Sequence, residues 1–277
     1  MRVEKRTFQT KLNTSYAAAY LWEDSEHFKT GEKRPVVVVC PGGGYRHTSD
    51  READPVALKY FSEGFHVVIL RYTCISEKPL FPAPHKELGQ TILWIRENAE
   101  AWHVDLANIV LTGFSAGGHL ACTFATEREW IANLLDVYKE SLRFNHLVLC
   151  YPVINFTYGW PNQADKDKKM ADLFGNDFDK QVKERLTLPD QFIPESMPRT
   201  FIWHTVDDAS VPVDNSLKLM MALRDKSVTH EAHFFESGVH GLALSTSVSS
   251  QTKEQENEYC EPWFDLAVNW LKKSINT

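Results

Sequence analysis

Short β-branched runs alternate with helical patterns along most of the chain, and this alternation constrains the possible folds more than any other feature. It predicts βαβ units and a mostly parallel sheet. The central runs VVVV, HVVIL and IVL are nearly unbroken, as expected for strands that are covered on both faces. Strands are predicted at Pro35–Cys40, Phe65–Tyr72, Asn108–Phe114, His146–Val153, Arg199–Thr205 and Val228–Phe235. Helices are predicted at Asp54–Phe61, Lys86–Trp102, Ala116–Glu127, Asn215–Arg224 and Pro262–Lys272.

Two segments depart from this rhythm. Thr7–Leu12 and Tyr16–Trp22 precede the first predicted helix, so we expect an antiparallel hairpin at one edge of the sheet. Residues 154–197 are too long for an ordinary βα loop, and loops of this length are usually functional or separately structured. We expect a cap insertion there, with short helices at Lys168–Phe174 and Phe178–Glu184, over the carboxyl edge of the sheet where ligands bind in open α/β folds. The chain is thus predicted to form one α/β domain over residues 1–277, with about eight strands and helices on both faces of the sheet.

Composition argues against several other classes of protein. The chain has 277 residues with 30 Lys and Arg against 37 Asp and Glu, so no basic surplus is available to neutralise nucleic acid. The opening MRVEKRTFQTKL lacks the apolar core of a signal peptide, and the longest apolar run is far shorter than a membrane span. The five cysteines are widely spaced without a CxxC pair, which favours buried free thiols in a reducing compartment. We therefore expect a cytoplasmic protein with no nucleic-acid or membrane partner.

The segment Gly113-Phe114-Ser115-Ala116-Gly117 fits the pattern G-x-S-x-G. A predicted strand runs directly into it and a predicted helix leaves it, which is the setting in which a nucleophilic serine sits on a tight, strained turn. The first amides of that helix, Ala116 N–H among them, are free to bind an anion. The alternative interpretation is a glycine-rich turn with an incidental serine.

A second glycine-rich loop, Cys40-Pro-Gly-Gly-Gly-Tyr45, follows the run PVVVV. Its backbone amides can approach a ligand closely because glycine has no side chain. In G-x-S-x-G hydrolases such a loop completes the oxyanion hole, and Gly43 and Gly44 are the predicted donors. A phosphate-binding loop is a weak alternative, because neither GxGxxG nor GK[ST] occurs here, and a plain turn is the other.

An acid and a histidine follow the serine in the chain order of α/β-hydrolases. Asp207 and Asp208 come after one predicted strand, and His240 lies in a glycine-flanked loop after the last. A serine hydroxyl needs a base to take its proton, and the base needs a carboxylate to orient it. Adjacent aspartates in an extended loop point in opposite directions, so only one of them can face His240. His230-Glu-Ala-His233 does not have the spacing of a zinc helix, and no metal is expected.

Together these motifs resemble the α/β-hydrolase superfamily. The closer resemblance is to the bacterial esterase/lipase group that includes acetyl-xylan-esterase-like and hormone-sensitive-lipase-like enzymes. It covers nearly the whole chain and rests on VVVVCPGGGYRHTSDREADPVA, NIVLTGFSAGGHLA, RTFIWHTVDDASVPVDNS and ESGVHGLAL. The resemblance implies an α/β-hydrolase fold with Ser115 as nucleophile, Asp208 as acid, His240 as base, and Gly43, Gly44 and Ala116 as oxyanion donors.

Two details of the resemblance concern single positions. In relatives the acid stands three residues before a Val-Pro pair, here Val211-Pro212, and this spacing selects Asp208 over Asp207. Many relatives carry His before the three glycines, whereas this chain has Pro41. Whatever that histidine does to brace the loop must therefore be done by another group.

The resemblance implies a serine carboxylic-ester hydrolase that acts through an acyl-enzyme on small esters with short acyl chains, acetyl foremost, and needs no cofactor. Acetylated sugars are one option for the substrate. Phe156, Tyr158, Trp160 and Phe174 form either a platform for a sugar or aromatic ester or an anchor for the insertion. Tyr45, Tyr158 and Trp160 are the predicted substrate-binding residues.

Two other functions compete with the esterase. A serine peptidase of the same fold usually carries an additional propeller or a larger cap, and neither is expected from these 277 residues. A binding protein on an inactive hydrolase scaffold usually loses the base histidine, whereas His240 is present here. The sequence leaves the oligomeric state open, with a homodimer as one option.

Overall fold

A computed structural model describes residues 1–9, 15–27, 31–75, 78–159 and 162–275. Their centre is an eight-stranded sheet with the order β1-β2-β4-β3-β5-β6-β7-β8. Strand β2 is antiparallel to both of its neighbours, and every pair from β4 to β8 is parallel, so the predicted mostly parallel sheet is confirmed. The strands are β1 Arg2–Thr7, β2 Tyr16–Leu21, β3 Arg34–Cys40, β4 His66–Arg71, β5 Val104–Phe114, β6 His146–Cys150, β7 Arg199–Thr205 and β8 His230–Phe235.

The edge hairpin begins earlier than the sequence pattern predicted. Strand β1 covers Arg2–Thr7 and pairs with β2 from Arg2 opposite Leu21 to Thr7 opposite Tyr16. Only Thr7 of the predicted Thr7–Leu12 strand belongs to β1, and residues 10–12 lie outside the described part of the chain. In β1, side chains that are partly buried alternate with exposed ones, as expected for an edge strand with one face in solvent.

Helices cover both faces of the sheet. The alternation of strand side chains explains this arrangement: Val36 and Val38 belong to one buried apolar cluster, whereas Val37 and Val39 belong to the other. The first cluster includes side chains from α2, α3, α4 and α7, and the second includes side chains from α1 and α8. Within the described residues, the helices are α1 Asp54–Ser62, α2 Ala83–Glu97, α3 Ala116–Thr126, α4 Arg128–Leu135, α5 Gln163–Phe174, α6 Lys180–Thr187, α7 Asp214–Asp225 and α8 Trp263–Ile275.

Residues 154–197, here called the β6–β7 segment, contain α5, α6 and a short 3₁₀ turn at Pro189–Gln191. Asn162 caps α5 by accepting the Asp165 N–H, and Asp179 caps α6 by accepting the Val182 N–H. Leu173, Phe174 and Leu186 bury their side chains in the first apolar cluster. The segment is therefore anchored to the layer of the core that contains α2 and α3.

None of the five cysteines, all of which lie in the described part of the chain, forms a disulfide bond with another. Four of them are buried, and Cys74 is partly buried. Burial raises the pKa of Cys40 to about 12 and that of Cys260 to about 11. In the part of the chain that the structure describes, no helix has the length and apolar character needed to cross a bilayer.

Candidate active site

Ser115 occupies a sharp turn between the end of β5 and the start of α3. Its backbone has φ 51° and ψ −115°, in the left-handed half of conformational space that side-chain-bearing residues seldom adopt. The turn brings α3 against the loop after β3, and a Cβ on Gly117 would lie 2.1 Å from the carbonyl oxygen of Cys40. Glycine at position 117 is therefore required by this close approach.

The structure brings the three predicted triad side chains into one chain of hydrogen bonds. Ser115 Oγ lies 2.8 Å from His240 Nε2, and His240 Nδ1 lies 2.6 Å from Asp208 Oδ2. Asp208 follows β7 and His240 follows β8, so both loops leave the carboxyl edge of the sheet on which Ser115 sits. If Nδ1–H donates to the carboxylate, Nε2 is left to accept the serine proton. This arrangement can activate the Ser115 hydroxyl.

The Asp208 carboxylate is completely buried, and both of its oxygens accept hydrogen bonds. Its Oδ1 accepts the N–H groups of Ser210 and Val211 at 2.8 and 2.9 Å. Burial alone would raise the pKa of Asp208, but the hydrogen bonds from His204 and His240, with the Val211 N–H, hold that pKa well below its usual range. The group is therefore a permanent anion next to His240.

His204, which the sequence analysis did not single out, is a second histidine on this carboxylate. Its Nε2 lies 3.3 Å from Asp208 Oδ2 and 3.0 Å from the Val211 carbonyl oxygen. Its Nδ1 is 2.7 Å from Ser216 Oγ, and the ring is completely buried at the end of β7. His204 therefore contacts the same carboxylate oxygen as His240 and helps to hold it in place.

Asp207 points away from His240. Its two carboxylate oxygens accept the Ser237 hydroxyl at 2.7 Å and the Gly238 N–H at 2.8 Å. These two hydrogen bonds lower the pKa of the exposed Asp207 carboxyl. Asp207 therefore ties down the loop that carries His240 and does not contact the imidazole.

The glycine loop after β3 lines the same cavity as Ser115 and His240. Gly43, Gly44 and Ala116, the predicted oxyanion donors, all border this cavity, whose volume is about 580 Å³. Gly43 and Gly44 have φ values of +119° and +61°, which glycine adopts without strain. The loop can therefore present backbone amides beside Ser115.

Two side chains brace this loop in place of the missing histidine. The Tyr72 hydroxyl donates to the Pro41 carbonyl oxygen at 2.6 Å, and Glu52 Oε2 accepts the Gly42 N–H at 2.8 Å. Glu52 Oε1 also accepts the hydroxyl of Tyr151, whose ring lies edge-on to His240 at 5.1 Å. Glu52 is almost completely buried and thereby connects the glycine loop to the wall behind the histidine.

Arg51 also restrains the loop that carries His240. Its guanidinium donates to the Gly241 carbonyl oxygen at 2.7 Å and to the Ser249 carbonyl oxygen at 3.0 Å. The sequence analysis did not single out Arg51 or Glu52, although both lie within the segment VVVVCPGGGYRHTSDREADPVA that carries the resemblance.

The predicted substrate-binding residues have different surroundings. Tyr45 and Tyr158 line the cavity, but the Tyr45 side chain is nearly buried and its hydroxyl lies 2.8 Å from His119 Nδ1. Trp160 lies outside the described residues. Of the other aromatic residues in the β6–β7 segment, Phe156 lines the cavity, and Phe174 is buried in the core. The hydroxyl of Tyr45 thus contacts α3, and Tyr158 is the predicted residue that faces the cavity with a partly exposed side chain.

The family model BD-FAE matches residues 26–223. The acetylxylan esterase of Xylanibacter ruminicola is 25% identical over 248 residues, which are 85% of this chain and 45% of that protein. The chain spans less than half the length of the curated relatives that it matches first.

Among solved structures, the carboxylesterase Cest-2923 from Lactobacillus plantarum is 32% identical with a TM-score of 0.87, and the match covers 99% of this chain and 98% of that one. MGS-M1, an α/β-hydrolase from a deep-sea metagenome library of the Medee basin, is 29% identical with a TM-score of 0.78, over 100% and 99% of the two chains. These similarities extend over nearly the full chain, so the predicted α/β-hydrolase fold is confirmed.

Proposed function

The chain belongs to the BD-FAE family and has the α/β-hydrolase fold, and from that premise we propose that it is a serine carboxylic-ester hydrolase for small esters with short acyl chains. The observation that carries this proposal is the unbroken chain of hydrogen bonds from Ser115 through His240 to Asp208, which borders a cavity. The similarity to a carboxylesterase and to an acetylxylan esterase supports the same class of reaction.

In the proposed reaction, Ser115 Oγ attacks the ester carbonyl carbon while His240 Nε2 takes the serine proton. The tetrahedral intermediate collapses when His240 returns this proton to the leaving alcohol, and an acyl-Ser115 remains. A water molecule then attacks the acyl group with His240 as the base, and His240 returns the proton to Ser115 Oγ as the bond between Oγ and the acyl carbon breaks and the acid leaves. Asp208 stays ionised throughout, because its folded environment keeps its pKa low.

The amides of Gly43, Gly44 and Ala116 are the proposed donors to the oxyanion. They border the cavity beside Ser115, and Glu52 and Tyr72 hold the loop that supplies the first two. Donors that are fixed before the reaction need no rearrangement when charge develops, and removing one typically costs about 10² to 10³ in turnover. The contacts of Glu52 and Tyr72 thus support the rate of ester hydrolysis because they fix the position of these amides.

A short acyl chain suits the lining of the cavity. Apolar residues such as Val153, Phe156 and Val211 line part of it, and the charged residues Arg46 and Lys169 also belong to its lining. A long acyl chain needs a continuous apolar wall. Each additional CH₂ buried there improves the binding free energy by only about 0.8 kcal/mol, and contact of the chain with a charged group offsets that gain. The lining therefore supports acetyl and similarly small acyl groups.

The test replaces the proposed nucleophile. Ser115→Ala should lose nearly all hydrolysis of p-nitrophenyl acetate while its thermal unfolding and circular dichroism remain those of the wild type. A fluorophosphonate probe should label wild-type Ser115 and fail to label the variant. Ser210→Ala is a matched control, because Ser210 borders the same cavity and its side chain lies outside the triad.

Each competing function predicts a different result. Substantial turnover by purified Ser115→Ala would contradict the nucleophile assignment. A wild-type protein that is folded but is neither labelled nor active would indicate a binding scaffold. Faster cleavage of a p-nitroanilide than of the matched ester would indicate a peptidase.

A further inference from the structure

Two cavities meet beside the proposed active site. The cavity that contains Ser115 and His240 shares Arg46, Gly159 and Lys169 with a second cavity of about 600 Å³. The second cavity lies against α5 and the residues before α2. A ligand that extends from Ser115 into the second cavity therefore passes these three residues.

Cations outnumber carboxylates along this path, although the whole chain has a net charge of −7. Lys78 pairs with Asp172 at 2.6 Å, and Arg51 and Glu52 are engaged in the loop contacts described above. Asp165 accepts a hydrogen bond from the Asn162 side chain. The charged residues that line the two cavities are Arg46, Arg51, Lys78, Lys168 and Lys169 on the positive side and Glu52, Asp165 and Asp172 on the negative side.

Arg46 and Lys169 differ from the other cations because they line both cavities, and neither forms an ion pair with a carboxylate among the described residues. The Arg46 guanidinium is exposed and has no hydrogen-bond or ion-pair partner among the described residues. The Lys169 ammonium donates to the carbonyl oxygen of Gly44, in the glycine loop, and lies 6.0 Å from the centre of the Tyr45 ring. Burial and the charge of Arg46 lower the pKa of Lys169 to about 8. An anion between the two cations would relieve this repulsion.

We propose that Arg46 and Lys169 bind a carboxylate on the alcohol half of the substrate, so that the preferred substrates are short-acyl esters of hydroxycarboxylic acids. This inference rests on the proposed esterase function and names its class of substrate. The proposed acyl group is small, so the second cavity beyond the two cations is assigned to the alcohol half. The planar guanidinium can form two parallel hydrogen bonds to a carboxylate, and the ammonium adds a point charge.

The test compares two acetyl esters that differ in charge at one position, 4-acetoxybenzoate and 4-acetoxybenzamide. Each kcat/KM is divided by the rate of the same ester with hydroxide, which removes the difference in intrinsic reactivity. In the wild type the corrected ratio of carboxylate to amide should be about 10, and high salt should lower it because ions screen the attraction. The ratio cancels any general loss of activity, since both esters use the same triad.

Variants identify the groups responsible for the preference. In Arg46→Gln/Lys169→Gln the ratio should fall to about 1, and in Lys169→Arg, which keeps the charge, it should stay near the wild-type value. Lys166→Gln removes the same charge from the same helix at a position that lines neither cavity, so its ratio should not change.

The failure of this inference can be distinguished from the failure of the proposed function. A wild-type ratio of 1 or less, or a ratio near 10 that persists in the double variant, would overturn the carboxylate site while Ser115 is still labelled by fluorophosphonate. The carboxylate site is also overturned, and the esterase proposal still stands, if p-nitrophenyl acetate is cleaved but neither acetoxy ester is cleaved. If Ser115 is not labelled and no ester is cleaved, the esterase proposal fails, and this inference fails with it.

Discussion

Asp208 and Asp207 are adjacent in the sequence, but only Asp208 contacts a ring nitrogen of His240. We expect Asp208→Asn to lower turnover by about 10⁴ in a protein that still folds, because an amide at this position favours the wrong imidazole tautomer. Asp207→Asn should retain most of the activity, since an amide oxygen can still accept one of the two hydrogen bonds from the loop at Ser237 and Gly238. Steady-state kinetics with p-nitrophenyl acetate measure both effects. A nearly inactive Asp207→Asn beside a normal Asp208→Asn would refute the assignment.

At the scale of single residues, the sequence predicted the groups that stand in motifs and missed those that support them. Ser115, Asp208 and His240 follow strand ends in a known order, and their assignment as a triad remains a prediction. Glu52 and Lys169 carry no such signal, because burial and partners of an isolated charged residue depend on segments that are distant in sequence. Glu52, for example, contacts Tyr151, which lies 99 residues away.

The turn between β5 and α3 packs so closely against the glycine loop that it leaves no room for a side chain at Gly117. A Cβ on Gly117 would lie 2.1 Å from the Cys40 carbonyl oxygen and 2.4 Å from that of Pro41. Both are backbone atoms that cannot move without shifting the glycine loop. We expect Gly117→Ala to lower the free energy of unfolding by about 3 kcal/mol, at the upper end of overpacking costs.

Gly44→Ala is the comparison for this prediction. A Cβ there has no neighbour within 4 Å, but φ is +61°, so the cost should be only about 1 kcal/mol of backbone strain. Urea denaturation of both variants measures the two costs. If Gly117→Ala unfolds at the same urea concentration as the wild type, the close approach of α3 to the loop is not what the structure indicates.

At the scale of elements, strands were predicted better than helix limits. Long apolar runs define β3, β4 and β5, because both faces of these strands are covered. Helix α4 was missed, although Trp130, Ile131 and Leu134 have helical spacing, because α3 and α4 are separated only by Glu127. The predicted start of α5 was five residues late, since the cap at Asn162 precedes a polar first turn that shows no apolar periodicity.

For the molecule as a whole, Asp208 makes stability depend on pH. Its pKa in the folded state is far below the ordinary value of 3.8, so its ionised form contributes stability that is fully present above that value. As the pH falls below about 4, the unfolded chain takes up the proton first and this contribution is lost. We expect the difference in unfolding free energy between wild type and Asp208→Asn to shrink from pH 5 to pH 3. Urea titrations at several pH values measure it, and a constant difference would contradict the prediction.

The burial of the cysteines limits how fast their thiols can be oxidised or alkylated. Cys40, Cys122 and Cys150 lie in β3, α3 and β6, at the centre of the sheet and its covering helix. A thiol reacts as its thiolate, and burial keeps these groups protonated. Oxidants and alkylating agents can therefore reach them only when the core opens. The rate at which these three thiols are modified therefore reports how often the core around the sheet opens. Oxidative damage to them should accumulate no faster than this opening occurs.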